Sequence, residues 1–308
     1  PSPDYLSSIV RSGQTGYGIA ATGEGLTTKG SQLIINAIEK RDVRPINEVI
    51  NAGPNTLAQA IKDYRRNHTK VEVDAFIGKL RVFENGAQDN AGAWICHEYP
   101  QIRWTRSNYQ TYCYAGPSWD GALNNKGDLN NLGPHTWQPY AYSGLGQHQW
   151  ALEHLIGNHG ALGRQYPLRQ LGRGLVYLEG GGTVPFLALV NKGLASIEHP
   201  HWGGWSGRYG RKKAQDVWSK HGSVRKDEKQ FSPFFAHQEA VDAWTDPDTG
   251  TEYEDIYAPV WRWRAAFFND FRCRMDWCEK PFDEANHHPV AIINQDSTNQ
   301  IIHLEAQA

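Results

Sequence analysis

Between Tyr177 and Tyr209 the chain reads YLEGGGTVPFLALVNKGLASIEHPHWGGWSGRY, a stretch that crowds proton-transferring and ligand-stacking groups onto a glycine-rich frame. Glu179 is the leading acid or base candidate there, because a carboxyl group can donate or take the proton of a glycosidic oxygen or a water. Gly180 to Gly182 let a ligand approach the backbone closely. Val184 to Leu194 has helical length, so the glycines would open a helix whose free N–H groups favour anions and hydroxyl oxygens. Thr183 adds a hydroxyl at that end. His199, His201, Trp202, Trp205 and Arg208 follow within ten residues and read as the wall of a pocket. The alternative is a loop that turns on glycine and buries its two tryptophans in a seam.

Asp89 is the second candidate carboxylate, in the turn ENGAQDN from Glu84 to Asn90. Two carboxylates flanking a scissile bond suit glycoside hydrolysis, and their separation decides the stereochemical route. Asn55, in the turn NAGPN, and Asn90 carry amides able to position sugar hydroxyls. Asn55 reads equally as a helix cap, and Asn85-Gly86 as an ordinary turn.

The elements that must position these residues alternate. Asp4 to Arg11 and Ser31 to Lys40 read as amphipathic helices. A buried strand over Pro45 to Asn51 precedes a helix over Asn55 to Arg66. A helix over Val71 to Lys79 leads to a strand over Leu80 to Glu84, and a helix over Asn90 to Glu98 to a strand over Ile102 to Thr105. Strands alternating with helices predict an α/β fold with a mostly parallel sheet flanked by helices. Ligands in such sheets bind beyond the carboxyl ends of the strands, where both turns fall. The Gly/Asn-rich stretch from Tyr114 to Pro139 is too long for an ordinary loop and reads as a lid or surface excursion. Helix resumes near Gln149 to Asn158. The basic region from Gly207 to Ser232 lacks an apolar period and reads as a surface wrap, with KHGSVRKDEK as a solvated charge run. A long helix is predicted over Ala258 to Trp277, with Asp276 pairing with a nearby arginine.

A formal charge of −2 over 308 residues and the lack of a basic stripe argue against nucleic acid. No apolar run approaches the roughly 20 residues of a membrane span, and the first residues do not read as a signal peptide. Twelve tryptophans and fourteen tyrosines beside one methionine favour carbohydrate, whose rings stack on flat side chains. The four cysteines, Cys96, Cys113, Cys273 and Cys278, form no zinc spacing. Their even number suits two disulfides and a secreted, extracellular protein, with three connectivities open; the alternative is free buried thiols.

Five segments carry a family resemblance: AGPNTLAQAI (52–61), KLRVFENGAQDNAGAWI (79–95), EGGGTVPFLALVNKGL (179–194), HPHWGGWSGRY (199–209) and FRCRMDWCEKPFDEANHHPV (271–290). In consistent order they resemble the nucleoside hydrolase-like domain of the secreted, cellulose-binding Sde182-type family. The resemblance implies a nucleoside hydrolase-like, Rossmann-like α/β fold. It also implies a calcium ion that grips sugar hydroxyls and helps activate water. The backbone carbonyl of Asn55 matches one calcium ligand of that superfamily. The aspartate cluster after its first strand has no counterpart here, and EGGGT stands where relatives are expected to read EGDT, so the calcium site is expected to be incomplete. Residues 1–284 are then an N-terminally incomplete nucleoside hydrolase-like domain whose missing segment belongs to the same precursor. Residues 285–308 are a linker or the start of a C-terminal β module. The function implied is a glycoside or N-glycoside hydrolase acting on a glycan or ribosyl substrate. The alternative is a non-catalytic, cellulose-like polysaccharide-binding protein. Hydrolysis of free nucleosides ranks behind both, and oligomeric state carries no signal.

Overall fold

The computed structural model describes residues 2–107, 152–166, 168–170, 176–178, 183–190, 194, 196–214, 226–247, 250–256, 258–287, 290 and 292. Glu179, Gly180 to Gly182, the stretch from Tyr114 to Pro139, Cys113 and almost all of 288–308 lie outside them.

Helix α1 (Pro3–Ile9) precedes α2 (Lys29–Ile38), which starts on a Thr28/Ser31 capping box. Strand β1 (Ile46–Ile50) leads through α3 (Asn55–Asn67) and α4 (Lys70–Gly78) to β2 (Leu80–Asn85). Helix α5 (Ala91–Glu98) then leads to β3 (Arg103–Ser107). After α6 (Gly160–Gln165) come β4 (Leu168–Gln170), β5 (Val176–Leu178) and α7 (Thr183–Leu187). Strands β6 (Tyr209–Lys213), β7 (Phe235–Glu239), β8 (Asp242–Thr245) and β9 (Glu252–Asp255) precede α8 (Ala258–Trp261) and α9 (Arg264–Trp277).

The main sheet has the order β1-β2-β3-β7-β6. Its first four strands are parallel, and β6 closes one edge antiparallel to β7. Register sorts the side chains. Val82 pairs with Glu48 and Trp104, and Glu84 with Ile50 and Arg106, so all six face one way. That face packs against α2 to α5 through Ile35, Leu57, Ile61, Ile77 and Ile95. Phe83 and Tyr209, whose rings meet edge to face at 5.3 Å, point the other way. They join Trp205, Phe267, Phe268 and Met275 in a second core under α7 and α9. The α/β fold with a mostly parallel sheet is as the alternation predicts.

Five expectations change. The basic region is not simply a surface wrap: Tyr209 to Lys213 is a sheet strand, and in the 3₁₀ turn Lys226–Phe231 the side chain of Glu228 is fully buried. The predicted long helix is broken into α8 and α9, where Arg262 reaches back to the Ala243 carbonyl (2.8 Å) and Trp263 caps the second segment. The helical run after Thr183 ends at Leu187, and the helix expected near Gln149 to Asn158 is a π-helical turn over Leu152–Ile156. Cys96, Cys273 and Cys278 are free thiols. Cys96 is sealed in the first core, and burial pushes its pKa well above the ordinary thiol range. No described helix is long and apolar enough to cross a membrane.

Candidate site at the carboxyl ends of the strands

Strands β1, β2 and β3 end at Ile50, Asn85 and Ser107, and the turns that follow bring Asn55, Asp89 and Asn90 together. Asn55 opens α3 with Pro54 as its cap residue, so the asparagine is not the helix cap. Its Nδ2 instead donates to the Gly16 carbonyl at 2.7 Å. Asn90 precedes α5, and its Oδ1 accepts from the Ile19 N–H at 2.9 Å. The two amides thus clamp the chain's own segment from Gly16 to Ile19 across the strand ends. Gly18 there takes φ 59, and its α-carbon stands so close to Asn90 Oδ1 that a side chain would collide with it.

Asp89 lies beneath this clamp, 2% exposed. Its Oδ1 accepts from the Ala91 N–H at 2.8 Å, at the start of α5. Its buried Oδ2 lacks a well-aligned hydrogen bond, although the N–H groups of Asn55 and Gly18 lie near enough to favour the ionised form. Burial outweighs these donors and, helped by nearby Glu84, raises the pKa to about 6. Gly53 covers the carboxylate and leaves no room for a β-carbon.

Below this cluster is a charged group that the sequence reading missed. Arg106 Nε donates to Glu84 Oε2 at 2.8 Å, and its Nη2 lies 2.9 Å from Glu228 Oε1, with all three side chains fully buried. Trp104 Nε1 donates to the same Glu84 oxygen at 2.9 Å. Burial raises Glu228 to about 7 against the pull of Arg106. Helix α5 approaches so closely at Gly92 that a β-carbon would stand 2.9 Å from Glu84 Oε1 and 3.0 Å from the Trp104 ring. The signal for two members was the placement of Glu84 and Arg106 on the apolar side of their strands. Glu228 sits in a charge run that gives no such signal.

Trp205, Arg208, His199 and Trp202 are held elsewhere. Trp205 is 7% exposed in the second core, 6.4 Å from Phe267. Arg208 pairs with Asp242 at 2.5 Å and donates to the Val241 carbonyl at 2.7 Å, which ties the end of the loop to the β8 hairpin. His199 stacks on Trp202 at 4.0 Å, with Trp202 51% exposed. Both belong to the loop that covers the Phe83 face of the sheet. Thr183 opens α7. Asp276 pairs with Lys280 (2.7 Å) and His159 (3.3 Å) rather than with an arginine.

Calcium takes six to eight oxygens. Here Asn90 Oδ1 and Asp89 Oδ1 are engaged by backbone donors, and the Asn55 carbonyl, in the first turn of α3, points along the helix. No three metal-ligating side chains converge among the described residues, which by themselves do not fit the ion.

A mostly parallel sheet flanked by helices, with a polar cluster at its carboxyl ends, makes this an α/β protein. A solved structure of a nucleoside hydrolase-related hypothetical protein from Saccharophagus degradans, associated with carbohydrate metabolism, is similar, with a TM-score of 0.68 and 30% identity. The similarity covers 97% of this chain and 59% of that one, so the chain spans somewhat over half of that protein's length. The family model of the cellulose-binding Sde182 nucleoside hydrolase-like domain matches residues 1–209, and the chain belongs to that family. No curated protein matches it.

Proposed function

We propose that this chain is an extracellular polysaccharide-binding protein whose ligand is a cellulose-like glucan. The observation that carries this reading is that the described polar side chains at the strand ends are engaged or covered by the chain itself. Asn55 and Asn90 are spent on Gly16 and Ile19, and Asp89 is covered by Gly53, which leaves this cluster without an accessible carboxylate among the described residues. Membership in a cellulose-binding family supports the same ligand class. The exposed indole of Trp202, backed by His199, is the kind of flat surface that sugar rings stack on.

Glycoside or N-glycoside hydrolysis is the second reading, and it rests on Asp89. A carboxyl group held near pKa 6 keeps its proton in mildly acidic solution, as a general acid must. Glu179 would be its partner in that reading, with calcium as an added requirement.

Calorimetric titration with cello-oligosaccharides, alongside an assay for reducing-sugar release with and without calcium, separates the two. Binding without product supports the first reading. Product release abolished by Glu179→Gln supports the second, and neither binding nor turnover overturns both.

A further inference from the structure

A cavity lies at the opposite end of the sheet from the strand-end cluster. It has a volume of about 430 Å³ and opens beside the amino ends of β2 and β3, under the loop from Ile197 to His201. Pockets of a few hundred cubic ångströms hold small ligands, so one or two sugar rings fit.

Its chemistry is cationic. Arg81 and Arg103 pair across the two strands. Both reach the carboxylate of Glu198, Arg81 Nε to Oε1 and Arg103 Nη1 to Oε2, each at 2.5 Å. Arg211 enters from β6, opposite His237 on β7. Its Nη2 donates to the Pro100 carbonyl at 3.1 Å and its guanidinium lies 5.4 Å from the Phe235 ring, but no described carboxylate pairs with it. The cavity thus holds three guanidiniums against one carboxylate. The His237 pKa is lowered, first by burial and then by the charges of Arg211 and Arg103, against a hydrogen bond with the Trp104 backbone that raises it. At the rim, His201 lines the cavity and its ring centroid lies 6.1 Å from that of the exposed Trp202.

A guanidinium without a carboxylate partner recognises an oxyanion, and the exposed indole of Trp202, one side chain beyond the rim residue His201, offers a face for a ring. We propose that this cavity binds an acidic sugar, a hexuronate unit, with Arg211 holding its carboxylate and Trp202 stacking on its ring. The proposal rests on the carbohydrate reading above for its ligand class but uses a different part of the molecule.

The test is calorimetric titration of the full chain at low salt with D-glucuronate, D-glucose and inorganic phosphate, in the wild type and in Arg211→Gln and Trp202→Ala. Glucuronate is expected to bind more tightly than glucose and to lose about tenfold or more in Arg211→Gln, the usual effect of removing a charged hydrogen bond. Trp202→Ala should weaken glucuronate severalfold and leave phosphate unchanged. Arg211 is exposed, so an unchanged melting temperature in Arg211→Gln separates lost binding from lost folding. Equal binding of glucuronate and glucose, an undiminished Arg211→Gln, or phosphate as tight as glucuronate overturns the proposal. Cello-oligosaccharides run in parallel distinguish the failures. If they bind and glucuronate does not, only this site is refuted. If glucuronate binds through Arg211 and they do not, the neutral-glucan reading fails alone.

Discussion

The α-carbon of Gly53 lies directly against the carboxylate of Asp89, with no space for a side chain between them. One residue ends the turn after β1 and the other ends the turn after β2, so this contact holds two carboxyl-end loops together and seals the acid from water. Gly53→Ala must displace Asp89 or the turn and is expected to cost about 1–3 kcal/mol, the usual penalty of overpacking. Urea unfolding of the variant checks this, and wild-type stability would show that the turn moves freely.

Stability should fall as pH rises from about 4 toward 7. Asp89 at about 6, and Glu48 and Glu228 at about 7, keep their protons in the folded protein to higher pH than in the unfolded chain, where carboxyls titrate near 4. A raised carboxyl pKa stabilises fully below the unfolded value, and the contribution is lost as pH passes through the folded one. The lowered pKa values of Glu72 and Asp276, through Thr69 and Lys280, act oppositely and matter only below about pH 4, whereas those of the partly buried His154 and His237 oppose the decline up to about pH 6.5 and make it shallower than the three carboxyls alone would give. Melting temperatures between pH 4 and 8 should peak in the acidic part of that range. Glu228→Gln should flatten the decline toward neutral pH.

Arg106 sits between two buried glutamates, and its removal leaves both without a counter-ion. Arg106→Met is expected to destabilise by about 3–5 kcal/mol. Combining it with Glu84→Gln and Glu228→Gln should recover part of that loss, because the uncompensated charges go with it. Equilibrium unfolding of the single and triple variants reads the difference.

The two tryptophans of the HPHWGGW block should behave oppositely. Trp205 fills the second core, so Trp205→Ala should cost about 3–5 kcal/mol. Trp202 is half exposed, and Trp202→Ala should change stability by no more than about 0.5 kcal/mol. Any effect of Trp202→Ala should appear in saccharide affinity. A large stability loss at Trp202 would mean that its indole is a packing residue.

Cys278 is exposed and Cys96 is buried, both as free thiols. Alkylation of the native, unreduced protein followed by peptide mass mapping should label Cys278 and spare Cys96 until the fold is opened by denaturant. Modification of Cys278 only after reduction would contradict the free-thiol state.

The sequence alone determined the order of elements from α2 to β3. Apolar periodicity and Gly/Pro punctuation act within a few residues, and both switch visibly at Ala52 to Asn55 and at Glu84 to Asn90. It also placed Asn55, Asp89 and Asn90 in the two turns that meet. Tertiary structure decided what those residues face. Asn55 and Asn90 bind backbone groups 39 and 71 positions away, and no local pattern encodes partners at that distance. Only the fold placed YGRKK in the sheet, since β7 supplies a ladder for an edge strand whose own residues lack an apolar alternation. The same long-range packing buried Glu228 against Arg106, a pairing invisible in a run of charges, and turned Trp205 inward while leaving Trp202 in solvent. Residues three apart in one glycine-rich loop are separated by which surface the chain closes over, and that is fixed by the volume the core must fill.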